Sequence, residues 1–287
     1  MIEESLFLKK FIEICLDGYA QGWHERNGGN LTYRLSDKDV ADVSSEFAND
    51  NEWIDMGVQD ATLGGAFFLS TASGAFMKNI KTSLKNTCGI VEINEDGSAY
   101  RIVWGFENDT RPTSEFPSHY LNHVVRFKVS NGKSNVIYHA HPANVIAMSS
   151  VLPVDAKAYS RAFWKVMTEC VVIFPEGVGV LPWMVPGGSE IALATSKLMN
   201  NYASVIWSQH GIFCAGTSLD EAFGLMHTIE KAAEIFVKQC QLISAPQFKN
   251  LECDLANQEF PNTIKDVELQ KVAEEFGVEI NKEFLDL

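Results

Sequence analysis

Two histidines one residue apart, His139 and His141, end the strand-like run Val136-Ile137-Tyr138-His139-Ala140-His141. Residues two apart on a strand project from the same face, so both imidazoles point the same way. Neutral imidazoles side by side make half of a zinc site, and a third from another strand leaves a fourth position open for substrate. His210 is the natural third. It follows the apolar run Val205-Ile206-Trp207 in Ser208-Gln209-His210-Gly211, a strand end turning at a glycine, and strand ends are where sheet proteins place reactive groups. Taken alone, a His-x-His pair is a weak signal, because many histidines are merely hydrogen-bonded. His119 and His123 lie one helical turn apart and form a rival pair, but no glutamate completes a His-Glu-x-x-His motif there. They read as packed or solvated helix-face residues, and the isolated His24 and His227 read the same way.

Holding these side chains requires strands alternating with helices. Phe7, Phe11, Ile14 and Gly18 recur at helical spacing and predict an amphipathic first helix. Strands are expected at 31–35, 66–70, 89–93, 135–141, 171–174 and 204–210, with Glu95-Asp96-Gly97-Ser98 as a hairpin turn. Ser218-x-x-Glu221 is a capping box, followed by Ala222, Leu225, Met226, Ile229, Ala233 and Phe236 on one helical face. The stretch 36–60 is polar and acidic and reads as a surface insertion. The tail from Asn250 contains one acidic helix at about 263–277. The pattern predicts a single domain over residues 1–287, an α/β sandwich whose mixed, largely antiparallel sheet is covered by helices.

The chain has 287 residues, 46% hydrophobic and 21% charged, enough for a sizeable core in one α/β unit. A formal net charge of -14 with no Lys/Arg cluster argues against a nucleic-acid partner, since backbone binding needs a positive patch. It does not exclude a phosphorylated small molecule, because amides, hydroxyls and helix N-termini attract anions locally while salt screens distant charge. The acidic start Met1-Ile2-Glu3-Glu4-Ser5 and the lack of a bilayer-length apolar run lead us to expect a cytoplasmic protein with no membrane association. Cys15, Cys88, Cys170, Cys214, Cys240 and Cys253 include no Cys-x-x-Cys pair and read mostly as small buried hydrophobes.

Four further segments narrow the chemistry: Glu25-Arg26-Asn27-Gly28-Gly29-Asn30, Ala72-Ser73-Gly74, Pro112-Thr113-Ser114-Glu115 and Gln209-His210-Gly211. Together with His139-x-His141 they resemble the class II aldolase/adducin family, from the first helix through about Gln241. The resemblance implies one zinc ion per subunit held by His139, His141 and His210, with Glu115 beside it as the acid/base residue. It implies cleavage of a phosphorylated ketose. Thr168-Glu169-Cys170 and Gly177-Val178-Gly179-x-Leu181-Pro182-Trp183-Met184-Val185-Pro186-Gly187 are similar to the branch of the family that acts on L-rhamnulose 1-phosphate, giving dihydroxyacetone phosphate and L-lactaldehyde. Phosphate contacts carry over to Asn27, Gly29, Asn30, Ser73, Thr113 and Ser114. Glu169 is implied at the aldehyde end, from its own subunit or a neighbour, within a homotetramer.

Residue chemistry agrees with these implications. A three-histidine site with an open position suits a Lewis acid, and breaking the carbon–carbon bond leaves an enediolate whose charge a divalent cation stabilises. The Gly28-Gly29 turn lets backbone N–H groups approach a phosphate closely, and Thr113 and Ser114 precede a predicted helix whose N-terminus favours a dianion. The Pro/Gly-punctuated apolar stretch around Trp183 fits a subunit interface. Two alternatives stay open: another phosphosugar reaction of the family, by a fuculose-phosphate aldolase or a ribulose-phosphate 4-epimerase, and a non-catalytic adducin-like module. The second has no need of three histidines with an acid/base residue.

Overall fold

The computed structural model describes residues 1–245 and 262–286. In chain order the helices and strands are α1 (Leu6–Ala20), β1 (Asn30–Arg34), α2 (Asp37–Val43), β2 (Ile54–Asp55), β3 (Phe67–Thr71), α3 (Leu84–Thr87), β4 (Cys88–Ile93), β5 (Ala99–Gly105), α4 (Phe116–Val129) and β6 (Val136–Ala140). There follow α5 (Ala143–Met148), α6 (Ala156–Trp164), α7 (Glu169–Ile173), β7 (Gly179–Leu181), α8 (Ser189–Leu198), β8 (Ser204–Trp207), β9 (Gly211–Gly216), α9 (Leu219–Ile243) and α10 (Asp266–Phe276). The fold is α/β, with a nine-stranded, mostly antiparallel sheet. Contacts divide the chain into two compact units, neither continuous in sequence: residues 1–141, 185–200 and 214–223, and residues 142–184, 201–213 and 224–287.

In the first unit six strands run antiparallel in the order β2-β5-β4-β3-β1-β6. Period-two alternation decides which side chains meet which helix. Phe68, Val91, Ile93 and Tyr100 turn to one face and pack with Phe116, Tyr120, Leu121 and Val124 of α4 and Ala192 of α8. Tyr33 turns to the other and lies beside Phe7 of α1, ring centroids 6.1 Å apart. The expected hairpin forms between β4 and β5: Asn94 Oδ1 accepts from the N–H groups of Ser98 and Ala99, and Gly97 takes φ 70°. The 36–60 stretch is more ordered than an irregular insertion. Ser36 and Asp39 close a capping box on α2, and β2 pairs with β5 at the sheet edge.

In the second unit β7 and β8 pair in parallel. One sequence expectation fails here. The run 171–174 is not a strand: it belongs to the short helix α7 and its cap, with Phe174 N–H donating to the Cys170 carbonyl at 3.0 Å. A four-residue apolar run carries no period that separates a buried strand from a helical turn. The strand expected over 204–210 ends at Trp207, and a separate strand, β9, begins at Gly211.

The long helix α9 starts as its sequence predicts, with Ser218 Oγ accepting the Glu221 N–H at 3.1 Å. The Glu221 carboxylate, however, reaches the Thr217 N–H rather than that of Ser218. The stripe Ala222, Leu225, Met226, Ile229, Ala233 and Phe236 is buried throughout. α10 buries Leu269 and Ala273 and leaves Val267 and Phe276 exposed. Cys15, Cys88, Cys170 and Cys214 are buried free thiols, whereas Cys253 and the tail from Asn250 to residue 261 lie outside the described residues. No helix among the described residues is long and apolar enough to cross a membrane.

Candidate metal and acid/base site

β6 ends at the edge of the site, and its alternation does what the spacing demands. His139 is fully buried, His141 is half-buried, and their rings lie 5.1 Å apart. The His141 N–H donates to the Trp23 carbonyl at 3.1 Å, and its Nδ1 lies 2.6 Å from Glu25 Oε1. A carboxylate on one ring nitrogen fixes the tautomer and leaves Nε2 as the atom that could bind a metal. Glu25 opens the segment Glu25-Arg26-Asn27-Gly28-Gly29-Asn30, so that segment orients the His141 ring as well as forming a turn.

The turn is held tightly against β6. His24 bonds the Gly28 carbonyl at 3.0 Å and the Tyr138 hydroxyl at 2.7 Å, and burial lowers its imidazole to about 4, keeping it neutral. Gly29 takes φ 70°, and a Cβ there would stand 2.8 Å from the His139 carbonyl oxygen, so only glycine fits.

Glu115 is the N-cap residue of α4, yet its side chain makes no capping bond. It turns inward and is 7% exposed. Its Oε2 accepts from Asn30 Nδ2 at 2.8 Å and lies 3.6 Å from His139 Nε2. Asn30 and His139 are directly paired across β1 and β6, which puts their side chains on the same face. Burial raises the Glu115 carboxyl above its ordinary value, opposed by the Asn30 hydrogen bond and by His141. Burial thus shifts this carboxyl toward its protonated form.

His210 stands in the turn after β8. Its N–H donates to the Trp207 carbonyl at 3.0 Å, and the preceding Gln209 holds φ 56° while bonding Ser149 through its backbone N–H at 2.8 Å and its amide at 2.6 Å. His139, His141 and His210 each offer one ring nitrogen as a possible metal ligand. Three imidazole donors fit a borderline-soft divalent ion.

The phosphate candidates divide. Ser73 N–H donates to the Arg111 carbonyl and Thr113 N–H to the Thr71 carbonyl, both at 2.9 Å, so the two hydroxyl-bearing segments are stitched together. Ser73, Ser114 and Asn27 are exposed, while Thr113 is buried and accepts the Glu115 N–H. The Asn30 amide bonds Glu115 and His119. Glu169 stands exposed at the start of α7. Sequence reasoning passed over Glu25 and His24 as site residues, although both sit in or beside the segment that carried the resemblance.

A buried carboxyl beside histidines that could hold a metal ion is an arrangement suited to metal-assisted acid/base chemistry. Residues 9–237 match the class II aldolase and adducin N-terminal domain, and the chain belongs to that family. It is a class II aldolase, a lyase of a metal-dependent class. Rhamnulose-1-phosphate aldolase of Escherichia coli (strain K12 / DH10B) is 44% identical over 237 residues, covering 83% of this chain and 86% of that enzyme. The enzyme of that name from Escherichia coli O1:K1 / APEC matches to the same extent. Among solved structures, a sugar-phosphate aldolase from Thermotoga maritima superposes with a TM-score of 0.71 at 25% identity, over 84% of this chain and 97% of that one. The L-fuculose-1-phosphate aldolase of Thermus thermophilus shares the fold, with a TM-score of 0.54 at 21% identity over 84% of this chain and 97% of that one.

Proposed function

We propose that residues 1–287 act as one catalytic domain that reversibly cleaves L-rhamnulose 1-phosphate into dihydroxyacetone phosphate and L-lactaldehyde. One zinc ion per subunit is held by His139, His141 and His210, in a cytoplasmic homotetramer. The observation that carries the reaction class is the buried Glu115 carboxyl 3.6 Å from His139 Nε2. The 44% identity to rhamnulose-1-phosphate aldolases supports the choice of sugar.

When bound, the zinc supplies Lewis-acid stabilisation of the charge that develops on the enediolate oxygens. Glu115 delivers the proton to the enediolate carbon in cleavage and removes it in synthesis. Glu169 takes the hydroxyl proton at the aldehyde end, within its subunit or across a boundary. Asn27, the Gly29 and Asn30 backbone, Ser73, Thr113 and Ser114 hold the phosphate, aided by the N-terminal end of α4. The direct test supplies a panel of ketose 1-phosphates and identifies the released aldehyde. Release of dihydroxyacetone phosphate from L-fuculose 1-phosphate but not from L-rhamnulose 1-phosphate overturns the substrate. An epimerised sugar with no free triose phosphate overturns the lyase reaction.

Asn27→Ala or Ser73→Ala should weaken phosphorylated substrates by about 1.5–3 kcal/mol, the scale of a lost hydrogen bond to a charged group. The same sugars without phosphate should bind nearly unchanged. Equal weakening of both sets moves these residues out of the phosphate site.

Trp183, 63% exposed in a stretch with few polar groups, is the anchor we assign to the assembly. Trp183→Ala should shift sedimentation from tetramer toward smaller species, and a fully active wild-type monomer at assay concentration sinks the assembly proposal.

A further inference from the structure

Behind Glu115 runs a buried chain of hydrogen bonds that binding a phosphosugar does not require. α4 carries Glu115 at its cap, His119 one turn on and His123 a turn further, a polar stripe beside the apolar Phe116, Tyr120 and Val124. Facing it, β1 carries Asn30 and Thr32 two residues apart, on the side shared with Phe68 of β3, whose ring lies 4.9 Å from that of His123. All five polar residues are buried.

Their contacts form one line. Asn30 Nδ2 donates to Glu115 Oε2 at 2.8 Å, and Asn30 Oδ1 meets His119 Nε2. His119 Nδ1 lies 2.7 Å from Thr32 Oγ1, which lies 2.8 Å from His123 Nε2. Burial lowers the His119 imidazole to about 3, against the opposing Ile137 carbonyl, and lowers that of His123 well below its ordinary value. Both rings are therefore neutral, each with one donor and one acceptor nitrogen.

That inventory sets the direction. With its NH2 toward Glu115, Asn30 offers His119 only an acceptor, so the His119 proton sits on Nε2 and its Nδ1 accepts from the Thr32 hydroxyl. The Ile137 carbonyl, at 3.4 Å, is the poorer target for that hydroxyl. The Thr32 oxygen then accepts from His123 Nε2–H. His123 Nδ1 has no hydrogen-bond partner among the described residues, which suits a bare lone pair better than a stranded N–H.

We infer that His119 is a positioning residue for Glu115: by donating to Asn30 Oδ1 it locks the amide so that Nδ2 faces the carboxyl. Without that donor the Asn30 amide is free to turn over, setting its oxygen against the Glu115 oxygens and releasing the carboxyl from its place beside His139. The inference rests on the acid/base role proposed for Glu115.

The test compares two buried amides at one position. In His119→Gln the amide nitrogen reaches roughly where Nε2 stood and keeps the donor, whereas in His119→Asn it stops nearer Nδ1 and loses it. His119→Asn should lower kcat about 10- to 100-fold, the scale of a misplaced reacting group, with zinc content and KM within about two-fold of wild type. His119→Gln should recover most of kcat at a similar loss of melting temperature. In a Glu115→Gln background, His119→Asn should cost nothing further. Thr32→Val gives a milder second probe, with a smaller kcat loss that also vanishes in that background. Equal loss in the Gln and Asn variants, following melting temperature alone, makes His119 a core residue and overturns the inference. Multiplying losses with Glu115→Gln overturn it too while leaving the role of Glu115 standing. Wild-type turnover in Glu115→Gln alone sinks that role itself.

Discussion

Replacing His139, His141 or His210 by alanine should remove bound zinc and aldol cleavage together. Each variant leaves two imidazoles, and a site with two neutral donors holds a divalent ion poorly at the concentrations of an assay. Loss of the ion also removes the stabilisation of developing enediolate charge, so turnover should fall by at least about 10²–10³-fold. Metal analysis after dialysis and a coupled assay for dihydroxyacetone phosphate read both effects. His119→Ala and His123→Ala serve as controls, because their rings bond Thr32 and Asn30 inside the fold, and both should retain zinc. A His141→Ala protein with full zinc occupancy would falsify the ligand assignment.

Glu115→Gln is expected to slow turnover by roughly 10²–10⁴ while keeping zinc and fold, the range for losing a general acid/base. The amide fills the same space but cannot exchange a proton with the enediolate carbon. Folding should not suffer. Burial raises the native carboxyl, so its ionised form is disfavoured in the folded state, and a neutral group in that place relieves the penalty instead of adding to it. KM for the phosphosugar should change little, since the glutamine oxygen can still accept from Asn30 Nδ2 and the proposed phosphate groups stay in place. A Glu115→Gln enzyme with unchanged kcat would return Glu115 to the status of a buried polar residue.

Much of this molecule could be read from its residues in order. His139 and His141 declare a shared face through a spacing of two, and α9 declares its start and its buried stripe through Ser218 and the 3.6-residue period. The hairpin at Gly97 and the helical face of α1 are of the same kind, being local patterns whose physics is complete within a dozen residues. Where the local pattern was short, it misled. Val171-Val172-Ile173-Phe174 satisfies a strand and a helical turn equally, and the bond from the Phe174 amide to the Cys170 carbonyl settled the matter.

What the sequence by itself determined is the set of reactive groups and the strand and helix periods that aim them: a His-x-His pair, a third histidine at a strand end and a carboxyl ahead of a helix. What only the tertiary structure decided is which of those groups meet. Glu115 could have capped α4, as helix-terminal carboxylates often do, and Asn30 could have faced a phosphate. Register between β1 and β6 set Asn30 against His139, and packing of α4 on that face carried Glu115, His119 and His123 over it. Strand register and helix docking join residues some 85 to 91 positions apart, and their energy comes from burying whole faces at once. No local spacing encodes such a pairing, so the placement of Glu115 beside Asn30 and His139 is a property of the fold.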